Sequence, residues 1–216
     1  MNRERWLKLR MSMIGGSEAS ALFGENPYMN NVDLWMIKTG RAIQQDISDK
    51  PYVKYGIDAE RPMRELFALD HPQYRVSYQD FDIVRHPQYS FIGATLDGRI
   101  IERETGRIGA YEGKTTEILK SQQKESWKHG IPQNYYIQTL QEMLAGGFDF
   151  AILKGQLKSI LTEEDGSKSV YLQTKHFTIE REKKQADLDR LIEVECKFWE
   201  YNVKKDIKPN LLLPNF

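Results

Sequence analysis

"ATLDGRIIERETGRIGAYEGKTTE", residues 94–117, sets Asp97 at the end of one apolar run and Glu112 and Lys114 on alternate positions of the next. In an extended strand residues i and i+2 face the same side. Glu112 and Lys114 therefore project together, with Gly113 between them on the opposite face. The polar turn "ERETG" joins the two runs as a hairpin. An isolated Glu-x-Lys is most often a surface ion pair, so the residues around this one decide its meaning.

Working outward, "FDIV", "FIGATLDGRII" and "RIGAYEGKTT" read as three strands. Ahead of them lie a short helical "RERWLKLR", a segment "MIGGSEASALFG" with Ser17 as its N-cap, and a helix "NNVDLWMIKTG" that starts near Asn31 and stops before Gly40. The stretch "PYVKYGIDAERPMRELFALDH" places Gly56, Glu60, Met63 and Phe67 on one helical face, with Pro62 expected to kink it or to mark a restart near Asp58. Glu60 is an acid in an apolar stripe, which is costly unless something compensates it.

After the strands, "IPQNYYIQTLQEMLAGG" is a helix with Pro132 in its first turn and Gly146 near its stop. "FDFAILKGQL" and "VYLQTKHFTIER" form a second hairpin around "TEEDGSK", and "REKK" (181–184) reads as a solvated helix start. The last helix, "QADLDRLIEVECKFWEYNV", buries Leu188, Leu191, Ile192, Glu195 and Trp199. The order αα-α-βββ-α-ββ-α predicts an α/β fold, a mixed sheet flanked by helices, built as one domain over residues 1–216.

Composition narrows the function. One cysteine, Cys196, allows neither a disulfide framework nor a cysteine zinc site. There is no apolar run of membrane-spanning length and no apolar core in "MNRERWLKLR", so a cytoplasmic protein without a membrane partner is expected. Lys plus Arg equals Asp plus Glu, 31 each, which argues against a passive DNA coat. It leaves room for an enzyme that gathers its bases along one channel. The four histidines receive no role, and the tryptophans at 6, 35, 127 and 199 read as packing residues.

Asp97, Glu112, Lys114 and the inward Glu60 form a set with its own chemistry. Hard divalent cations take oxygen ligands, and Mg²⁺ typically uses one or two carboxylates with waters. Beside a phosphodiester such an ion polarises the phosphoryl oxygen and lowers the pKa of bound water. A lysine there orients the water or offsets developing charge.

Asp97 followed by Glu112-Gly113-Lys114 resembles the core of the PD-(D/E)XK nuclease superfamily, which implies a restriction-endonuclease-like fold. "WLKLRMSMIGGSEAS", "YGIDAE", "TLDG", "YEGK" and "YYIQTLQEM" also occur in the order seen in one branch, the phage-type, lambda-exonuclease-like alkaline exonucleases with the YqaJ-type viral recombinases. The resemblance runs from about Trp6 to the C-terminal helix. It implies that Asp97, Glu112 and the Gly113 carbonyl bind metal, and that Glu60 completes the site directly or through water. It makes Lys114 the catalytic lysine and Gln138 the helical glutamine that positions the scissile phosphate.

Arg10 and Ser17 match a pair that grips a terminal 5′-phosphate, with Thr95 as a further hydroxyl contact. A guanidinium forks onto phosphate oxygens, and a helix starting at Ser17 would turn its N–H groups toward the anion. Val53 falls near a family wedge position, although by itself it reads as core. Two departures stand out. Leu140 occupies the place of a second glutamine, with Gln141 next to it, and Pro62 interrupts the Glu60 helix.

The resemblance thus implies an exonuclease that needs Mg²⁺, with Mn²⁺ as a substitute, and degrades one strand of double-stranded DNA 5′→3′ from its ends for phage-type recombination. It implies a homotrimeric ring and a single-strand-annealing partner protein, in the bacterial cytoplasm if the gene is a phage's. A restriction or repair endonuclease with the same metal site is the alternative within enzymes. A catalytically silent DNA-binding subunit is the alternative outside them.

Overall fold

Residues 2–44, 46–118 and 121–212 are described by a computed structural model, the side chains of 121–123 excepted. Helix α1 (Arg3–Met11) is capped by Asn2, whose side chain accepts the Arg5 N–H. A one-turn α2 (Gly16–Ala19) runs on into a 3₁₀ turn, and α3 (Asn31–Lys38) is capped by Asn30. Helix α4 (Pro51–Asp70) leads into β1 (Tyr74–Ser77), β2 (Ile83–Arg85), β3 (Gly93–Thr95), β4 (Gly98–Glu102) and β5 (Ile108–Glu117). Then follow α5 (Ser121–Lys128), α6 (Gln133–Gly146), β6 (Phe150–Thr162), β7 (Lys168–Glu180) and α7 (Gln185–Lys197), which ends in a π-helical turn.

The central sheet has the order β1-β4-β5-β6-β7 and is mixed: β5 pairs parallel with β6 and the other neighbours are antiparallel. The parallel step is the one whose connection carries α5 and α6, as a crossover must. The expected α/β architecture is present. One apolar cluster lies under α3, α6 and α7, and includes Leu34, Ile137, Leu140, Ala110, Ala151, Leu188 and Leu191. On the opposite sheet face, Phe67 of α4 packs on Ile100, Tyr111, Phe150 and Ile152. Strand alternation divides β5 accordingly, with Ala110 toward α6 and Tyr111 toward α4.

Several local expectations need correction. The run "FIGATLDGRII" is two strands in different sheets: β3 pairs with β2 in a separate ribbon, while β4 joins the central sheet. The chain changes sheets between Thr95 and Gly98. A Cβ on Gly98 would stand 3.3 Å from both the Arg64 side chain and the Ser77 carbonyl, so this narrow crossing takes a glycine. Pro62 neither breaks nor restarts α4, which runs through it. Pro62 and Asp58 are both exposed, so water can satisfy the carbonyl that the proline ring leaves without a donor. Arg181, expected in solvent, instead donates to the Phe148 and Met143 carbonyls at 2.6 Å each. The short α5, and β1 as a strand in its own right, carry no signal that singles them out in the sequence.

The buried indole of Trp127 on α5 packs on Leu153 and Leu157. An added Cβ at Gly155 would come within 2.7 Å of that ring, which is buried. Gly155→Ala is expected to lower unfolding stability by about 1–3 kcal/mol, read as an earlier urea midpoint with an unchanged slope.

Candidate functional site

Glu112 and Lys114 share the face of β5 that meets α6, as the strand period requires. Lys114 Nζ is ion-paired with Glu112 Oε1. The same oxygen accepts Gln138 Nε2 from α6 at 2.5 Å, and that amide also donates to Glu142 Oε1 at 3.2 Å. Both carboxylate contacts demand the amide NH₂, so the orientation of Gln138 is fixed. Glu112 Oε2 is buried with no donor partner.

Asp97 stands at the crossing between the sheets. Its Oδ2 accepts the Gly113 N–H at 3.1 Å, closing the end of the β4–β5 ladder where the backbone partner has turned away. From α4, Arg64 Nη1 donates to the Asp97 carbonyl at 2.8 Å and its guanidinium lies 3.8 Å over the Tyr78 ring. Glu60, one turn before Arg64, faces the same space.

The electrostatics follow from crowding acids beneath a protein surface. Asp97 is pushed up to about 7 by burial and then by Glu112, against the pull of Lys114 and the Gly113 N–H. Glu60 is pushed up to about 7 by burial and by Asp97, with Lys114 and Arg64 opposing. Glu142, fully buried beside Glu112, is raised well above the carboxylate range, first by burial and then by Glu112. Burial alone would lower Lys114, but Glu112 and Asp97 outweigh it and keep the ammonium charged.

A cleft of about 590 Å³ is lined by Glu60, Asp97, Glu112, Gly113, Lys114 and Gln138 together with Arg10, Ser17 and Thr95. The structure thus gathers every site residue singled out in the sequence along one concave wall. Val53 lines the cleft half-buried rather than sitting in the core. Trp6 donates its indole N–H to Thr95 Oγ1 at 2.9 Å, which leaves the Thr95 hydroxyl proton free to point elsewhere. The Arg10 guanidinium lies 4.7 Å over the Trp6 ring, and among the described residues no carboxylate is paired with it.

Ser17 is not an N-cap. That position belongs to Gly15, whose N–H donates to Glu18 Oε2 at 2.7 Å, and Ser17 lies exposed within a helix of four residues. So short a helix adds little dipole, and any grip here rests on the side chains of Arg10, Ser17 and Thr95. Gln141 does not replace the glutamine missing at Leu140. It is buried, and donates to the Ile14 carbonyl at 3.1 Å and to Glu195 at 3.2 Å.

The residues present fit a hard divalent ion. The donor set is carboxylate and carbonyl oxygen, and one carboxylate oxygen of Glu112 is buried unpartnered. Among the described residues no three acids, histidines or cysteines converge so as to hold a metal ion by themselves. A cation that keeps several of its waters asks for fewer protein ligands than a full cage does. Sequence reasoning missed Glu142 and Arg64. Each lies four residues after a residue that the sequence does single out, Gln138 and Glu60, and so on the same helical face.

Among the described residues no helix is long and apolar enough to cross a membrane. The fold is similar to that of the "alkaline exonuclease (LHK-Exo) from Laribacter hongkongensis", with a TM-score of 0.62 at 16% identity over 94% of this chain and 95% of that one. A structure described as "LHK-Exo in complex with dAMP" matches with a TM-score of 0.55 at 15% identity, over 94% and 98% of the two chains. A Bacillus subtilis (strain 168) protein described as "Uncharacterized protein YqaJ" is 29% identical over 205 residues, 92% of this chain; the match spans only 56% of that protein's length. Residues 5–149, which carry the whole cleft wall, match the family described as "YqaJ-like viral recombinase domain", and the chain belongs to that family.

Proposed function

We propose that this protein is a Mg²⁺-dependent deoxyribonuclease that degrades one strand of duplex DNA from its ends in the 5′→3′ direction. One observation carries the reading: an acid–lysine cluster suited to a hydrated cation shares a cleft with two hydroxyls suited to a phosphate and an arginine that has no ion-pair partner among the described residues. Family membership and the fold shared with a protein named an alkaline exonuclease support it.

Asp97, Glu112 and the Gly113 carbonyl would hold the ion, with Glu60 through water. When bound, a Mg²⁺ ion supplies charge that polarises the phosphoryl oxygen and acidifies a water. Lys114 places a fixed ammonium beside that oxygen, where charge grows in the transition state. Gln138, its NH₂ occupied by Glu112 and Glu142, keeps a carbonyl oxygen that can accept a hydrogen bond from the attacking water and so help to orient it. Arg10, Ser17 and Thr95 hold the terminal 5′-phosphate. That contact fixes polarity, because an enzyme seated on the end advances by one nucleotide and releases mononucleotides. A mononucleotide in complex with the structural relative agrees with such a product.

The same reading extends to phage-type recombination in the host cytoplasm, in which a 3′ strand passes to a single-strand-annealing protein. It also extends to a homotrimeric ring around the DNA. Ile160 and Val170 pair with each other on the β6–β7 hairpin beyond Lys158, the last residue paired to β5, and share with Leu172 an exposed apolar face suited to self-association.

The test is digestion of linear duplex labelled at either end, in Mg²⁺ and in chelator, with closed circular DNA as control. Release from the 5′ end in Mg²⁺ alone is expected, and cleavage of the circle would replace this reading with an endonuclease. Arg10→Ala should slow digestion of 5′-phosphorylated ends at least about tenfold, the scale of a lost charge-assisted contact. Equal parent rates on 5′-phosphate and 5′-hydroxyl ends would remove the phosphate grip.

A further inference from the structure

The grip's two halves lie on different elements, Arg10 on the last turn of α1 and Ser17 in the turn after it. Beneath them a buried ion pair joins α3 to α2. Lys38 Nζ lies 2.7 Å from Glu18 Oε2, with side chains 1% and 3% exposed. The same ammonium donates to the Arg10 carbonyl at 2.9 Å, and the same Glu18 oxygen accepts the Gly15 N–H at 2.7 Å. One unbroken chain of bonds therefore runs from the Arg10 carbonyl through Lys38 and Glu18 to Gly15, directly under the cleft wall formed by Arg10, Gly15, Gly16 and Ser17.

A buried ion pair is weak evidence for stability, because desolvation offsets much of the attraction. Its value here is geometric. The segment is also held without it: Arg85 donates to the Leu9 carbonyl and the Ser12 hydroxyl at 2.9 Å, and Gln141 holds the Ile14 carbonyl. Among the described residues, the side-chain link from the end of α1 to the Gly15–Ser17 turn is the Lys38–Glu18 chain.

We propose that Lys38 is a positioning residue for the 5′-phosphate site: it sets the separation of Arg10 and Ser17 in the DNA-free protein, so that the grip is formed before the DNA end arrives. The inference rests on the phosphate grip proposed above. Lys38 touches neither DNA nor metal; it acts through the backbone of Arg10 and the carboxylate of Glu18.

The experiment measures binding of the full chain, in chelator, to a blunt duplex with a 5′-phosphate or a 5′-hydroxyl, by fluorescence anisotropy. Mg²⁺ kinetics on the same two ends follow. The parent is measured first. Equal affinity for both ends would sink the phosphate grip itself, and this inference with it. Given a parent preference, Lys38→Met should reduce the phosphate-to-hydroxyl affinity ratio about tenfold, the scale on which a misplaced positioning group is felt. In kinetics the loss should fall on KM for phosphorylated ends, with kcat at saturating DNA within about twofold of the parent.

If Lys38→Met fails to fold, the double variant Lys38→Met/Glu18→Gln removes the orphaned charge, while the new amide's carbonyl still accepts the Gly15 N–H. The same ratio is then read from that variant. A folded variant that keeps the parent ratio overturns the proposal. So does equal weakening for both ends, or loss of folding in both variants, which would make the pair a fold element only.

Discussion

Lys114→Met is expected to lower turnover on duplex ends about 10³-fold, the scale of losing one preorganised charge at a transition state. Binding of the same ends in chelator should change by less than about threefold, since the grip on the terminal phosphate is built from other residues. The charge balance explains the size of the effect. Asp97, Glu112 and Glu142 crowd one another, and Lys114 is the cation paired with Glu112. Methionine keeps the stem and removes the ammonium. Glu112 then keeps the Gln138 amide as a donor but loses its cation. The variant should also melt earlier than the parent in chelator, because a buried carboxylate without its counter-ion is costly. Rates must therefore be compared well below the variant's melting temperature. A folded Lys114→Met protein retaining more than about a tenth of the parent rate would strip the residue of its proposed role.

How much of this is legible in the sequence varies with the range of the interaction concerned. The β4–β5 hairpin is readable, because "ERETG" is a local turn and alternation fixes the faces of β5. The α6-facing side of Glu112 and Lys114 follows from the same period. Asp97 can be placed next to them, yet the break at 95–98 is invisible. An apolar run does not record that the strand on one side of it pairs with β2 and the strand on the other with β5. Ser17 reads as a cap because serine is a strong cap residue. The capping hydrogen bond is instead made by Glu18, from one residue further on, to the Gly15 N–H. Lys38 gives no local signal at all. It is the basic residue expected in the last turn of an amphipathic helix, and its partners come from residues 28 and 20 positions earlier, in different elements. Long-range polar bonds of this kind are set by tertiary packing, and no period in the chain reports them.

Asp97→Asn should move activity and stability in opposite directions. The carboxylate of Asp97 has an ordinary value of 3.8 and is pushed up to about 7 in the folded chain, by burial and then by Glu112. A carboxyl raised in this way contributes stability that is fully present below its unfolded value and is lost as pH rises through about 7. In chelator at pH 8 the parent therefore carries an ionised Asp97 among other acids, and acidification from 8 toward 5 should raise its melting temperature. Asparagine has the same shape and can still accept the Gly113 N–H, but it carries no charge. The variant should melt above the parent at pH 8 in chelator, by roughly 2–4 °C for each kcal/mol relieved. It should also lose part of the parent's gain on acidification. Added Mg²⁺ should reverse the order, raising the parent by mass action and raising the variant far less, because one of the oxygens proposed to hold the ion has gone. Hydrolysis should fall by about 10³-fold or more for the same reason. Differential scanning in chelator and in Mg²⁺, beside a nuclease assay, reads all of this on one preparation. A variant that melts below the parent in chelator at pH 8 would show that the Asp97 charge is welcome where it stands. The crowding of acids at the end of β4 would then not be the feature that a cation relieves.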